Sequence, residues 1–154
     1  MRKLFFKKLF EVMEDEDVWF LTGDLGYGGI DPIQACYPER FVNCGASEQA
    51  MMGMAVGLSL EGKTVFTYTI SPFYLRAYET IKLYIDREKS PVIMVGSGLN
   101  DDYAENGFSH EAWDIPGIMH NFKSIRYVQP LDEDDMNLKA IIKERQPYYI
   151  GIKR

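Results

Sequence analysis

Six short runs dense in β-branched and aromatic residues, each followed or preceded by a stretch of helical length, constrain this chain more than any other feature. They are Val18 to Thr22, Phe41 to Asn43, Val65 to Ile70, Val92 to Gly96, Ile125 to Val128 and Tyr148 to Ile152. Their hydrophobicity is near-continuous rather than alternating, the pattern of strands covered on both faces. Helices are expected at Lys3 to Glu14, Pro32 to Cys36, Glu48 to Leu60, Pro72 to Glu88, a short one after Trp113, and Glu133 to Arg145. Strands and helices in alternation predict an α/β fold, a three-layer doubly wound domain around a mainly parallel sheet.

The 154 residues suit one domain spanning 1–154, long enough to bury roughly 68–70% of the surface of its unfolded chain in one core. A hydrophobic fraction of 46% excludes a disordered chain, and a net charge of -6 argues against nucleic acid or an anionic membrane as a partner. Cys36 and Cys44 have neither metal-ligand spacing nor the density of a disulfide framework, which points to packing roles in a reducing, cytoplasmic setting. In MRKLFFKKLFEVM the charges interrupt the apolar residues, so no signal-peptide core forms. Leu4, Phe5, Leu9, Val12 and Met13 recur instead at the helical period, with Lys3, Lys7, Lys8 and Glu11 toward solvent. No apolar run approaches the roughly 20 residues that span a bilayer.

Between Arg40 and Gly53 a single acidic side chain, Glu48, sits among small and apolar residues. An acid at the start of a helix is favoured by the helix dipole, and an acid in an apolar pocket is a common catalytic device. The local sequence leaves both readings open. The helix that follows has an unusually small surface, with Ala50, Gly53, Ala55, Gly57 and Ser59 set among methionines, valine and leucines that read as core. Each interior glycine costs about 1 kcal/mol relative to alanine, so the pair implies a close approach, either by a neighbouring helix of this domain or by a ligand or another chain.

Three further motifs fail in detail. Gly23-Asp24-Leu25-Gly26-Tyr27-Gly28-Gly29 follows a strand, but it lacks the third glycine of a dinucleotide loop at the required offset and the Lys-Ser or Lys-Thr of a phosphate loop. Gly45-Ala46-Ser47-Glu48-Gln49 is half a nucleophile elbow, with Gln49 where the second glycine belongs. The only histidines, His110 and His120, stand at no tight metal-ligand spacing with acidic residues, so no metal site is expected from this chain alone.

Taken together, several ordered segments resemble the pyrimidine-binding domain of transketolase-like, thiamine diphosphate-dependent enzymes. They are Thr22-Gly23-Asp24-Leu25-Gly26, Pro38-Glu39-Arg40-Phe41-Val42-Asn43, Gly45-x-x-Glu48-Gln49 with Gly53-x-Ala55-x-Gly57-Leu58-x-Leu60-Glu61-Gly62, Tyr68 to Phe73 with Arg76-Ala77-Tyr78-Glu79, and Glu105-Asn106-Gly107-Phe108-Ser109-His110. The resemblance runs nearly the full chain. It implies that Glu48 shares a proton with the aminopyrimidine ring and so activates the cofactor. It also implies that Phe73 packs on that ring, with Ile70 as an aliphatic wall where related enzymes often carry an aromatic. Arg76 would hold an anionic substrate group, with an ion pair to Glu79 as the alternative. His110 would sit near the substrate oxygens. Core packing for Phe73 and a structural role for His110 are the alternatives.

Two departures bear on specificity. Asn106 stands where the family's substrate loop has an aspartate, and Ser97-Gly98-Leu99 lacks the usual histidine. An amide both donates and accepts, so a different hydroxyl pattern is expected in the substrate, a ketose phosphate or a ketoacid. These 154 residues contain no Gly-Asp-Gly…Asn motif of the diphosphate-binding domain, and a chain without that domain and without the family's C-terminal domain is expected. The resemblance therefore implies a transferase subunit whose partner is a separate diphosphate-binding chain that holds Mg2+ or Ca2+ with thiamine diphosphate. The assembly expected is a heterotetramer with a homodimer of this chain within it. A regulatory module that retains the fold without the chemistry is the alternative.

Overall fold

The pleat of a strand sends alternate residues to opposite faces, and in this chain both sets are apolar. The computed structural model, which describes residues 1–154, has strands β1 (Val18–Thr22), β2 (Phe41–Asn43), β3 (Thr64–Ile70), β4 (Val92–Ser97), β5 (Arg126–Val128) and β6 (Tyr148–Ile152). They pair as one wholly parallel six-stranded sheet in the order β2-β1-β3-β4-β6-β5. Phe66 and Tyr68 of β3 turn to one face, and Val65 turns to the other.

Each face carries its own core. On one, Phe5, Leu9 and Met13 of helix α1 (Arg2–Asp15), Ile33 of α2 (Asp31–Cys36) and Leu138 and Ile141 of α6 (Leu138–Glu144) pack on Phe20, Phe66, Tyr68 and Val95. On the other, Met51, Met52 and Ala55 of α3 (Glu48–Leu60) join Ile81, Ile85 and Ile115 and Met119 of α5 (Ile115–His120) over Leu21, Met94 and Tyr149. The three-layer, doubly wound architecture expected from the sequence is the one observed. Within α1 the inward face is the expected one through Phe5, Leu9, Val12 and Met13 and differs in one member, since Phe6 is buried against Phe20 and Tyr68 while Leu4 is only partly covered.

Two helices depart from expectation for local reasons. The helix expected from Glu133 begins only at Leu138. The Asp132 carboxylate accepts the amides of Asp134 and Asp135, and Asn137 caps α6 by accepting the Ala140 amide, so the side chains hold a turn ahead of the helix. The helix expected from Pro72 to Glu88 changes winding along its length: a 3-10 helix over Ser71–Ala77, a short α-helical turn α4 (Tyr78–Thr80), then a π-helix over Ile81–Arg87. The tight first segment has a period of three, which buries Ser71, Tyr74 and Ala77 in one row and sets Phe73 and Arg76 together in another.

This topology places the site. After β1 the chain moves outward to β2, then returns through α3 to β3 on the other side of β1. The crevice between the carboxyl ends of β1 and β3 is therefore a switch point, where open α/β sheets bind ligands. Glu48, the first residue of α3, stands there.

Candidate functional site

Asn43, the last residue of β2, sets the approach to α3. Its Oδ1 accepts the amides of Asp24 and Gly45, tying the β1 and β2 ends together before the chain turns into the helix. Glu48 enters the helix 3% exposed and hydrogen-bonds no backbone amide, so its carboxylate is not a cap. It points to the end of the sheet instead. A methyl group at Gly23 would press on Thr69 Oγ1 at 3.1 Å and meet Glu48 Oε1 at an ordinary contact of 3.7 Å, so the bare glycine makes room for the threonine beside the carboxylate. Arg76 Nε lies 3.0 Å from Glu48 Oε2, yet not in the alignment of a hydrogen bond. Both Glu48 Oε2 and Thr69 Oγ1 are buried without a hydrogen-bond partner.

Unpaired buried polar atoms are uncommon, and each needs an explanation. Here they flank one glycine at the switch point, beside an open concavity of about 660 Å3 lined by Ala46, Ser47, Glu48, Gln49, Ala50 and Arg76. Another groove, of about 580 Å3, lies between α1 and the Tyr27 to Gly29 turn and contains none of the candidate site residues Glu48, Ile70, Phe73, Arg76, Asn106 and His110.

The segment that carries Phe73 and Arg76 is pinned from below. Ser71 Oγ donates to the Gly98 carbonyl at 2.6 Å, with the Ser97 carbonyl 3.2 Å away. The Tyr74 hydroxyl lies 2.9 Å from Thr67 Oγ1, accepts the Val95 amide and reaches the Val95 carbonyl. Burial pushes the Tyr74 and Tyr149 phenols far above their ordinary range, so both act as neutral hydroxyls.

Phe73 meets His110 edge to face, with ring centroids 5.0 Å apart. His110 Nδ1 lies 3.1 Å from Ser109 Oγ. Ile70 ends β3, largely buried. Asn106 stands exposed at the end of the turn Ala104–Asn106, its side chain without a hydrogen bond in the chain. The loop bearing it is held by Asp102, whose carboxylate accepts the amides of Leu99 and Arg154, and by the Tyr103 hydroxyl on Ser97 Oγ. Arg154 also covers the Tyr103 ring and pairs with Glu105.

The structure thus groups Glu48 with Arg76, and Phe73 with His110, along one edge of the sheet. Arg76 takes Glu48, not Glu79, as its acidic neighbour. Gly23, Thr69, Ser71 and Tyr74 had no role assigned to them from the sequence. A signal existed: Thr67, Thr69 and Ser71 recur every second residue in an otherwise apolar run, a polar row on one side of a strand and its continuation. The glycines of α3 are resolved differently from a seam inside the domain, since a methyl group at Gly53 or Gly57 would meet nothing within 4 Å. No group of three or more histidine, cysteine, aspartate or glutamate side chains is placed to hold a metal ion, and no helix is long and apolar enough to cross a membrane.

Comparison with known proteins covers the whole chain. A sequence profile of the transketolase pyrimidine-binding domain matches residues 1–154. A putative transketolase C-terminal section from Methanocaldococcus jannaschii is 32% identical over 77% of this chain and 38% of its own length. An apulose-4-phosphate transketolase subunit from Phocaeicola vulgatus is 27% identical over 99% of this chain and 51% of its own. Among solved structures, a split-gene transketolase described as an inactive β4 tetramer superposes with a TM-score of 0.85 at 28% identity, covering 99% of this chain and 51% of that one. Leishmania mexicana transketolase has the same fold, with a TM-score of 0.86 at 16% identity over 98% of this chain and 24% of its own. The chain spans between about a fifth and a half of the length of the curated relatives it matches.

Proposed function

Because the chain belongs to the family of transketolase pyrimidine-binding domains, we propose that it supplies the cofactor-activating half of a thiamine diphosphate site in a split transketolase-like enzyme. The observation that carries this reading is Glu48: a carboxylate 3% exposed at the topological switch point, with one oxygen that accepts no hydrogen bond. The residues present fit the pyrimidine end of the cofactor. Glu48 Oε2 has acceptor capacity to spare, Phe73 offers an aromatic face, and Ile70 closes β3 with an aliphatic side chain.

When bound, thiamine diphosphate supplies an acidic thiazolium carbon that adds to a carbonyl and then holds the electron pair released by carbon–carbon cleavage. Glu48 holds a shared proton against the aminopyrimidine ring nitrogen, and Phe73 orients the ring by stacking. His110, edge-on to Phe73, stands to hydrogen-bond the substrate's carbonyl or hydroxyl oxygens, and Asn106 reads a neighbouring hydroxyl. The reaction is transfer of a two-carbon ketol unit, or a related condensation, on a ketose phosphate or ketoacid.

Residues 1–154 contain neither a Gly-Asp-Gly…Asn motif nor a cluster of side chains placed to hold a divalent ion. In this reading a separate diphosphate-binding chain carrying Mg2+ or Ca2+ completes the site, in a heterotetramer built around a pair of these chains. The apulose-4-phosphate transketolase relative, itself one subunit of its enzyme, and the split-gene neighbour support this division of labour.

Reconstitution with that diphosphate-binding chain provides the test. Glu48→Ala should retain its unfolding cooperativity and lose on the order of 10²–10⁴ in turnover, whereas near-normal turnover by the variant complex would end the assignment.

A further inference from the structure

The contact between Arg76 and Glu48 has an unusual asymmetry. The carboxylate side chain is 3% exposed and the arginine side chain 67% exposed, yet Arg76 Nε reaches to 3.0 Å from Glu48 Oε2. An arginine side chain with that much freedom loses rotamer entropy to hold such a position, and an exposed pair rarely repays it. The buried partner changes the balance, because a charged oxygen without a hydrogen bond is costly to leave uncompensated. Arg76 is the only basic side chain that any ion pair of the structure gives to Glu48. Neither group uses the other fully: Oε2 accepts no aligned hydrogen bond, and Arg76 makes none elsewhere in the chain.

Arg76 and Glu48 also line the same concavity of about 660 Å3 at the sheet edge. A planar ring entering that concavity to meet Glu48 Oε2 competes with the guanidinium for the same oxygen, which Arg76 Nε already approaches to 3.0 Å. The 3-10 winding of Ser71–Ala77 leaves Arg76 free to move outward, because the buried row that anchors this segment is Ser71 and Tyr74 and does not include it.

We propose that Arg76 is a displaceable counter-ion of Glu48: it stabilises the carboxylate in the empty site and is pushed aside when the pyrimidine ring arrives. Arg76 is then a positioning residue that makes cofactor entry competitive, setting a threshold for loading the site. This rests on the cofactor reading of Glu48 given above. Because the contact is electrostatic and unaligned, charge matters more than fork geometry, and Arg76→Lys should behave much like the native chain.

The experiment has two arms. In the chain alone, a double-mutant cycle by urea unfolding compares Arg76→Ala in the native and Glu48→Gln backgrounds. Arg76→Ala should lower the midpoint in the first and leave it unchanged in the second, and equal effects in both would overturn the contact. In the complex with the diphosphate-binding chain, calorimetric titration with thiamine diphosphate and Mg2+ should show Arg76→Ala tightening cofactor binding by about fivefold or more, with Arg76→Lys near the native value. Unchanged or weaker binding by Arg76→Ala would overturn the displacement and leave the role of Glu48 intact. A native complex that binds no thiamine diphosphate at all would instead overturn the cofactor reading, and this proposal with it.

Discussion

Two stretches of the same sheet edge treat their buried polar atoms in opposite ways. Beyond β4, the hydroxyls of Ser71, Tyr74, Ser97 and Tyr103 each have a hydrogen-bond partner, and the Tyr149 hydroxyl is the one in that corner that lacks one. Beyond β1 and β3, Glu48 Oε2 and Thr69 Oγ1 are as deeply buried and make no hydrogen bond, Oε2 having only its unaligned contact with Arg76. A satisfied network rigidifies, whereas a half-satisfied one persists where another group is meant to complete it. The contrast separates a foundation, which fixes the backbone under Phe73 and Arg76, from a receiving surface.

The largest effect should come from closing the space in the foundation. A methyl group at Gly96 would lie 2.0 Å from the Tyr149 hydroxyl and 2.7 Å from Ser71 Oγ, both buried groups. Gly96→Ala should cost about 3 kcal/mol, at the upper end of overpacking penalties, read from urea unfolding. A nearly native midpoint would mean that this corner is looser than its hydrogen bonds suggest. Next in size is Tyr74→Phe, which keeps the edge-to-face contact with the Tyr149 ring but strips Thr67 and Val95 of their partner. It should cost about 1–3 kcal/mol, with faster amide exchange across Ser71 to Ala77.

Thr69→Val is the matching change on the receiving side. The hydroxyl it removes has no partner, so the substitution should be neutral within about 0.5 kcal/mol or slightly stabilising. If Thr69→Val costs as much as Tyr74→Phe, the distinction between the two stretches fails.

The sequence displayed the foundation and the receiving surface unequally. Strands were legible because their apolar runs are continuous, and α3 because small and large residues alternate at helical spacing from Glu48 onward. Glu48 itself stood out by being acidic in apolar company. Its pairing with Arg76 was not legible, since the two meet only when a crossover helix and a turn after β3 converge. The 3-10 winding of Ser71–Ala77 escaped for a related reason: its period of three is imposed by Tyr74 and Ser71 reaching down to β4, and propensity alone favours a period of 3.6. The late start of α6 followed from Asp132 and Asn137 bonding to local backbone, a competition that helical periodicity does not reveal.

The smallest effect concerns the loop that supports the receiving surface. The Asp24 carboxylate accepts the Tyr27 hydroxyl at 2.8 Å and the Asn43 amide at 3.3 Å, and these bonds, Tyr27 first, hold its carboxyl below the usual range. A carboxyl lowered on folding contributes stability that is fully present above its unfolded value and is lost as pH falls through its lower folded value. The loop should therefore keep its order through neutral pH and loosen only in acid, below the ordinary carboxylate range. Asn43 transmits the change, because the same side chain accepts the Gly45 amide at the entry to α3. Amide exchange at Gly45, followed from neutral pH into acid after correction for intrinsic rates, should accelerate in the native chain. Asp24→Asn, which cannot titrate, should flatten that dependence while leaving the Ser71 to Ala77 amides unaffected. An identical acid profile in both chains would place the sensitivity elsewhere and detach the Asp24 loop from the support of Glu48.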